Sequence, residues 1–238
     1  MTVSDGSLLD GRVVYRQPKT GHRSGIEPVL LAASIPARTG AKVLEGGSGA
    51  GAALLCLATR VPGIQGLGIE CDPAALACAE ANAQHLAGVR FHLADLIQTT
   101  WSERFDHAMA NPPWHPPGTA SPDLERELAR RATESVFAEW ARALAAPLRH
   151  RGSLTFVLPA AALSAGLAAM TAAGCGSPSL FPLWPRAGQA AKRMLLRTIK
   201  NGRGPGRILP GLVLHEADGR FTGAAQAILR DGQRLDLN

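Results

Sequence analysis

The stretch Asn111-Pro112-Pro113-Trp114 combines residue types that could hold a flat molecule bearing an amino group. Two prolines in series cannot continue a sheet ladder or begin a helix interior, so they hold the backbone in a stiff extended turn. The turn fixes the amide of Asn111 and the indole of Trp114. An amide oxygen accepts hydrogen bonds from an NH2 group, and a ring stacks on a flat molecule. A rigid loop with a buried tryptophan is the alternative interpretation, because Pro-Pro and Asn-Pro are ordinary loop signals.

The elements before this turn follow the pattern of a nucleotide-binding α/β unit. Residues 42–45 predict a short strand that runs into the glycine-rich segment 46–51, and an apolar helix follows. Three more strands, each reached through a helix or a loop, are predicted at 64–69, 89–93 and 105–110. The strands end at the polar residues Glu45, Glu70, Asp95 and Asn111. Parallel strands place their carboxyl ends at one edge of the sheet, so these side chains should meet there.

The remaining elements complete a sheet of seven predicted strands. The later strands are predicted at 154–158, 193–200 and 212–216, with helices around 136–144 and 160–173. The N-terminal part predicts a strand or hairpin at 8–17 and a helix that starts near Glu27-Pro28. We expect one domain over 1–238, in which residues 1–40 extend a core of residues 41–238.

Composition restricts the class of protein. The chain has 238 residues, of which 46% are hydrophobic and 18% charged, so it should fold around a core, and its net charge of +6 favours an anionic partner. The four cysteines show no metal-site or disulfide spacing, and we predict no metal and a reducing, cytoplasmic compartment without a signal peptide. The uncharged stretch 152–185 is long enough to span a bilayer, but its prolines and glycines favour a buried strand, a helix and a loop.

Two cofactor chemistries fit the glycine segment. Gly47-x-Gly49-x-x-Ala52 matches the dinucleotide fingerprint, which would make the protein an NAD-dependent oxidoreductase. Glu45 argues against that, because an acid before the glycines would repel a pyrophosphate but suit the cationic amino-acid end of S-adenosylmethionine (SAM). Glu70 follows at close to the spacing at which an acid reaches ribose hydroxyls.

Asp95 could accept a hydrogen bond from an adenine amino group. The alternatives are a helix-dipole partner for Glu45 and helix caps for Glu70 and Asp95. The predicted cofactor-binding residues are Glu45, Gly47, Ser48, Gly49, Gly51, Glu70, Cys71, Asp95, Leu96 and Asn111.

With these motifs the chain resembles the class I SAM-dependent methyltransferases, and more narrowly the amino-methyltransferases that carry an Asn-Pro-Pro-aromatic motif. The stretches QPKTGHRSGIEPVLLAA and LVLHEADGRFTGAAQAILRDG are similar to the bacterial tRNA adenine-N6-methyltransferases, which act next to the anticodon of a valine tRNA. The resemblance covers Leu8 to Gly232. Trp114 and His22 stand where that family usually has Tyr or Phe after the prolines and an aromatic residue in the Gly-x-Arg loop.

The resemblance implies the fold, the cofactor and the acceptor. The expected fold is α/β and Rossmann-like, with a mostly parallel seven-stranded sheet, helices on both faces and an antiparallel C-terminal strand. SAM is the expected methyl donor, and the N6 amine of an adenine in a tRNA anticodon loop is the expected acceptor. The predicted catalytic residues are Asn111, Pro112, Pro113 and Trp114. An rRNA guanine-N2-methyltransferase, a protein glutamine-amide methyltransferase and a non-catalytic RNA-binding protein remain alternatives.

Charge distribution favours an RNA partner. No Asp or Glu occurs between Trp140 and His215, a segment that contains ten basic residues. These charges could follow a phosphate backbone, or they could be scattered and solvated. The predicted RNA-binding residues are Lys19, His22, Arg23, Arg193, Arg203 and Arg207. We expect a monomer or a weak dimer that does not bind a membrane.

Overall fold

The computed structural model describes residues 2–19, 25–114 and 124–237, and side chains in the helix that begins at Leu124 are described from Ser135 onward. The strands are β1 (Val3–Leu8), β2 (Val13–Pro18), β3 (Lys42–Gly46), β4 (Gln65–Glu70), β5 (Val89–Leu93), β6 (Phe105–Ala110), β7 (Leu148–Pro159), β8 (Cys175–Trp184), β9 (Arg193–Lys200), β10 (Arg207–Ile208) and β11 (Leu212–Val213). The helices are α1 (Glu27–Ser34), α2 (Ala52–Arg60), α3 (Pro73–Ala83), α4 (Leu124–Ala145), α5 (Leu163–Ala172) and α6 (Gly223–Leu229). No helix within these described ranges is long and apolar enough to cross a membrane.

The main sheet has nine strands, and the prediction of seven was therefore too low. Its order is β10-β8-β9-β7-β6-β3-β4-β5, with β11 also paired to β8. Strands β5, β4, β3, β6 and β7 are mutually parallel, and β9 lies antiparallel between β7 and β8. The mostly parallel sheet and the antiparallel strand near the C-terminus are thus confirmed.

Strand β8 is one of the two strands that the sequence did not reveal, and β10 is the other. Pro178 and Pro182 argue against a strand because proline cannot donate to a ladder. Strand β10 pairs with residues 179–180 and β11 with residues 183–184, so neither proline lies in these short pairings. The predicted strand 212–216 is shorter than expected, because it ends at Val213 and His215 forms only an isolated bridge with Phe221.

Helices cover both faces of the sheet, as predicted, and each face has its own hydrophobic cluster. The first cluster contains residues of α1, α2 and α6, and the second contains residues of α4 and α5. Phe137 and Leu144 of α4 are fully buried against the second face. At about 25 cal/mol per Å² of buried apolar surface, such side chains each stabilise the fold by roughly 1.5–3 kcal/mol.

The predicted N-terminal hairpin is formed by β1 and β2, and the side chain of Asn82 in α3 bonds to it. The carboxamide of Asn82 accepts from the Arg16 N–H at 2.9 Å and donates to the Arg16 carbonyl at 2.8 Å. The same amide group donates to the carbonyl of Ala50 at 3.0 Å. Asn82 thereby joins the hairpin to the glycine-rich turn before α2.

The half-buried Arg60 and the buried Arg197 hold the C-terminal end of α1, which has no basic residue of its own in its last turn. Arg60 donates to the carbonyls of Ala32 and Ile35 at 3.0 and 2.6 Å, and Arg197 donates to the carbonyl of Ser34. Burial is the main reason why the pKa of each guanidinium falls to about 10. Both groups remain charged at neutral pH and complement the negative end of the helix dipole.

Candidate active site

Three adjacent strands end at the same level of the sheet. Gly46, the last residue of β3, pairs with Ile69 of β4 on one side and with Ala110 of β6 on the other. Glu70 is the last residue of β4, and Asn111 is the first residue after β6. The glycine loop, residues 47–51, therefore begins between the acid and the amide, as the sequence pattern predicts.

The backbone of the glycine loop requires its three glycines. Gly47, Gly49 and Gly51 have φ values of +60°, +56° and +89°, a region that other residues rarely adopt. The Ser48 N–H donates to the carbonyl of Ile69 at 3.0 Å, and the Gly51 N–H donates to the carbonyl of Ser48 at 2.8 Å. These bonds fix the loop at the N-terminal end of α2.

Glu70 binds the glycine loop directly. Its carboxylate accepts the N–H of Gly49 at 2.7 Å through one oxygen, and the N–H groups of Cys71 and Asp72 at 2.9 Å through the other. The side chain is buried, with 8% of its surface exposed. A carboxylate offers about four acceptor positions, so one remains for a further donor. The contact with ribose hydroxyls stays a prediction, while the structure gives Glu70 a role in shaping the loop.

Glu45 lies below the loop and faces α2. Its carboxyl group is buried and accepts the N–H of Leu54, in the first turn of α2, at 3.1 Å. Burial raises the pKa of Glu45 to about 8, and the nearby negative charge of Glu70 adds to the rise. The carboxyl group therefore accepts a free N–H at the start of α2, but it is mostly protonated at neutral pH and has little charge with which to offset the helix dipole. A contact between Glu45 and the amino-acid end of SAM stays a prediction.

Asp95 and Leu96 follow β5 at the same edge. The Ala94 N–H donates to the carbonyl of Glu70 at 3.0 Å, which ties the end of β5 to the end of β4. Asp95 is exposed, and one of its oxygens accepts the N–H of Ile97 at 2.9 Å. Leu96 is buried beside Gly46, where an added Cβ would lie only 2.7 Å from the Leu96 Cδ2 atom. The acid therefore faces solvent while the leucine supports the loop.

The four residues of the Asn-Pro-Pro-Trp turn differ in exposure. Asn111 is half-buried, Pro112 is buried and Pro113 is exposed. Trp114 is partly buried and packs against the second hydrophobic cluster. The turn thus holds the Asn111 amide and one part of the indole at the edge where the glycine loop begins.

Two aromatic residues that the sequence reading did not assign to the site enclose the glycine loop. A Cβ at Gly51 would lie 2.6 Å from Phe91 Cζ, and a Cβ at Gly68 would lie 2.3 Å from Phe91 Cδ1. A Cβ at Gly47 would lie 2.5 Å from Trp140 Cη2. The alternation of β5 could have indicated that Phe91 lies on the covered face. The contact of Trp140 could not have been found from local pattern.

The structure separates the predicted RNA-binding residues. Lys19 is exposed at the end of the hairpin, and His22 and Arg23 lie outside the described residues. Arg193 pairs with Pro159, at the carboxyl end of β7, and is therefore at the edge of the glycine loop. Its Nε atom lies 2.8 Å from the Glu27 carboxylate, so part of its charge is used to fix the first turn of α1.

Arg203 lies at the opposite edge of the sheet. Strand β9 runs from Arg193 to Lys200, which pairs with Cys175 at the start of β8, and Arg203 follows three residues later. The neighbouring Gly204 N–H donates to the Ser177 hydroxyl at 2.7 Å.

Arg207 also has partners within the fold. It donates to the Ser179 hydroxyl at 3.1 Å and to the Leu237 carbonyl at 3.3 Å.

The residues at this edge fit a SAM molecule. Gly49 has positive φ, and a Cβ built there would meet no atom within 4 Å, so open space lies over the middle of the loop. The hydroxyl of Ser48 is buried without a hydrogen-bond partner. Within the described ranges no three His, Cys, Asp or Glu side chains are grouped to hold a metal ion. A mostly parallel sheet with a glycine loop and acids at its carboxyl edge is the arrangement expected of a class I SAM-dependent methyltransferase.

Comparison with known proteins gives the family. A family model described as the methyltransferase small domain matches residues 26–157. A tRNA1(Val) (adenine(37)-N6)-methyltransferase from Haemophilus influenzae (strain 86-028NP) is 31% identical over 225 residues, which cover 90% of this chain and 93% of that protein. A protein of the same name from Actinobacillus pleuropneumoniae serotype 7 (strain AP76) is 26% identical over 216 residues, covering 89% and 90%. The chain belongs to the methyltransferase small-domain family, and SAM is its methyl donor.

A solved structure agrees with this fold. The crystal structure of a predicted O-methyltransferase from Agrobacterium tumefaciens has a TM-score of 0.74 and covers 89% of this chain and 99% of that chain. Its sequence identity of 22% makes it similar in fold alone.

Proposed function

We propose that this enzyme transfers the SAM methyl group to the exocyclic N6 amine of an adenine in a tRNA anticodon loop. The observation that carries the proposal is the Asn111-Pro112-Pro113-Trp114 turn at the end of β6, next to the strand from which the glycine loop begins. Relatives that align over about nine-tenths of the chain are named as tRNA1(Val) (adenine(37)-N6)-methyltransferases, which supports an RNA adenine as the acceptor.

Asn111 and Pro112 would prepare the amine. The nitrogen lone pair of an exocyclic amine is delocalised into the ring and is a weak nucleophile. The Asn111 side-chain oxygen and the Pro112 carbonyl can each accept one N–H, which turns the lone pair away from the ring plane. Reaction needs the two atoms about 3–3.5 Å apart and aligned, so positioning supplies most of the rate. The N–C bond forms as the S–C bond breaks, which leaves SAH and a cationic nitrogen. A strong general base is not required, because this nitrogen then releases its proton to water.

Trp114 and Pro113 would hold the base. Stacking of a base on an aromatic ring contributes about 1–3 kcal/mol. An adenine in an anticodon loop is already unpaired, so little energy is needed to extrude it. The second hydrophobic cluster fixes one part of the Trp114 indole, and the ring needs little further ordering when it binds a base.

The loop and the acids would hold the methyl donor. Gly49 leaves open space for a ligand over the loop, the positive φ values of Gly47 and Gly51 shape its turn, and the buried Ser48 hydroxyl has no partner in the protein. Glu70 has acceptor capacity left for ribose hydroxyls. Asp95 is exposed at the end of the adjoining strand, where its carboxylate can accept a hydrogen bond from the amino group of the SAM adenine. SAM supplies a methyl group on a cationic sulfur, and the positioning of donor and acceptor falls to these residues.

RNA would approach across the carboxyl edge of the sheet. Lys192 and Arg193 are exposed there, at the start of β9, and exposed cations at this edge can contact phosphates. Lys19 and the segment that contains His22 and Arg23 precede α1, whose first turn is held by Arg193. Arg203 would contact RNA only if the RNA also reached the opposite edge. We further propose a cytoplasmic, single-domain protein that acts as a monomer or weak dimer.

The test is to incubate the protein with labelled SAM and, separately, with unmodified tRNA, rRNA and protein extract, followed by nucleoside and amino-acid analysis. N6-methyladenosine in tRNA is the expected product. N2-methylguanosine in rRNA or label in protein would instead support the guanine or the glutamine alternative, and the tRNA proposal would be rejected.

A further inference from the structure

Helix α4 packs against Gly46, the last residue of β3, and against Gly47, the first residue of the glycine loop. A Cβ at Gly46 would lie 3.3 Å from both Cδ atoms of Leu144, and a Cβ at Gly47 would lie 2.5 and 3.1 Å from Cη2 and Cζ3 of Trp140. Residues four apart lie on the same face of a helix, so Leu144 and Trp140 form one continuous contact with the start of the loop. Gly47 is therefore required both by its positive φ and by the indole beside it.

Trp140 differs from its neighbours on α4 in its burial. Phe137, Ala141 and Leu144 are completely buried in the second hydrophobic cluster, whereas Trp140 only packs against that cluster and stays partly exposed. Helix α4 leads from the Asn111 edge of the sheet back to the start of β7 at the other edge. Trp140 lies one turn before Leu144 and hence nearer the edge at which the glycine loop and Asn111 meet.

We propose that Trp140 is part of the SAM site and that its ring favours the cationic donor over the neutral product, S-adenosylhomocysteine (SAH). A cation over an aromatic face is attracted by the ring quadrupole, most strongly for Trp. SAM carries a positive sulfonium, and SAH carries an uncharged thioether of nearly the same shape. An indole at the first residue of the glycine loop would weaken product retention relative to donor binding.

A packing role alone predicts a different pattern. If Trp140 only supported Gly47, a smaller apolar side chain would distort the loop and weaken SAM and SAH alike. The ratio of Kd for SAH to Kd for SAM reports on the charge of the sulfur atom, because the two ligands share their remaining contacts. The inference rests on the proposed placement of SAM at the glycine loop and is independent of the acceptor.

The experiment measures Kd for SAM and for SAH by calorimetry in Trp140→Leu, Trp140→Phe and Trp101→Leu, with thermal unfolding of each. Trp101→Leu is the matched control, because Trp101 is also partly buried against the second cluster but does not contact the loop glycines. We expect Trp140→Leu to weaken SAM by about 3- to 30-fold and SAH by less than about 3-fold. Trp140→Phe should change the ratio of the two Kd values less than Trp140→Leu does, and Trp101→Leu should leave that ratio unchanged.

An equal change in both Kd values for Trp140→Leu, or no change in either, would overturn the inference. If Trp140→Leu does not fold, replacement of all tryptophans by 5-fluorotryptophan gives the second test, because fluorine weakens the ring quadrupole with little change in shape. Fluorination should lower discrimination in the natural sequence but not in Trp140→Phe, and equal effects in both would again overturn it. Absence of any SAM binding by the unsubstituted protein would reject the placement of SAM and not the role of Trp140 alone.

Discussion

Replacement of Glu70 by Gln tests how the carboxylate holds the glycine loop. Glu70 accepts three backbone N–H groups, from Gly49 on one oxygen and from Cys71 and Asp72 on the other. The Gln carbonyl can keep the pair of donors on one side, and its NH2 group then opposes the Gly49 N–H. The bond that fixes the middle of the loop is therefore lost.

The expected magnitude follows from the bonds involved. A hydrogen bond to a charged group contributes about 1.5–3 kcal/mol, and the free energy of unfolding should fall by at least that amount. For a chain of this size each kcal/mol lowers Tm by about 2–4 °C, so Tm should fall by about 3–12 °C. If the remaining acceptor capacity of Glu70 also binds ribose hydroxyls, SAM affinity should fall by about 10- to 100-fold.

Calorimetric titration with SAM and thermal unfolding are the two assays. Glu80→Gln is the matched control, because Glu80 is exposed on α3 and its replacement removes the same charge. A Glu70→Gln variant that binds SAM as tightly as the Glu80→Gln variant would refute the ribose assignment. An unchanged Tm would refute the assignment of Glu70 to the backbone of the loop.

Three further changes test separate parts of the site. Asn111→Ala should lower the single-turnover rate of methyl transfer by about 100-fold or more, with Kd for SAM within a few-fold. Burial raises the pKa of Glu45 to about 8 in the folded protein. The free energy of unfolding should therefore fall as pH rises from about 5 to 8, by up to about 1.4 kcal/mol per pH unit. Urea unfolding of the Glu45→Gln variant should show a flatter pH dependence. Arg193→Glu should lower Tm by about 2–4 °C, and adding Glu27→Arg should restore most of the loss.

Each of these outcomes has a clear contrary result. Normal turnover in Asn111→Ala would exclude the amide as an acceptor for the amine. Equal pH dependence of unfolding in Glu45→Gln and the natural sequence would mean that the carboxyl group is not held protonated. If the Glu27–Arg193 exchange restores Tm but not the KM for tRNA, Arg193 contacts RNA as well as α1. If the exchange restores both Tm and KM, the role of Arg193 is structural only.

Local sequence determined the elements on which the site is built. The strands at 89–93 and 105–110 were predicted with the bounds that the structure has. The glycine spacing predicted the loop between β3 and α2, because only glycine adopts such φ values readily. Alternation of strands and helices then required a parallel sheet, which brings Glu70 and Asn111 to either side of the loop.

Tertiary structure decided what local pattern could not express. The edge at which a cation lies depends on strand direction. Strand β9 runs antiparallel to β7 and places Arg193 and Arg203 at opposite edges of the sheet, although they are only ten positions apart in the sequence. Strand β8 forms despite Pro178 and Pro182 because β9 pairs with it along most of its length, with a register shift at Pro178, and the short β10 and β11 pair with residues other than the two prolines. The indole of Trp140 reaches Gly47 across more than ninety positions of sequence, and only packing of α4 on the sheet brings the two together.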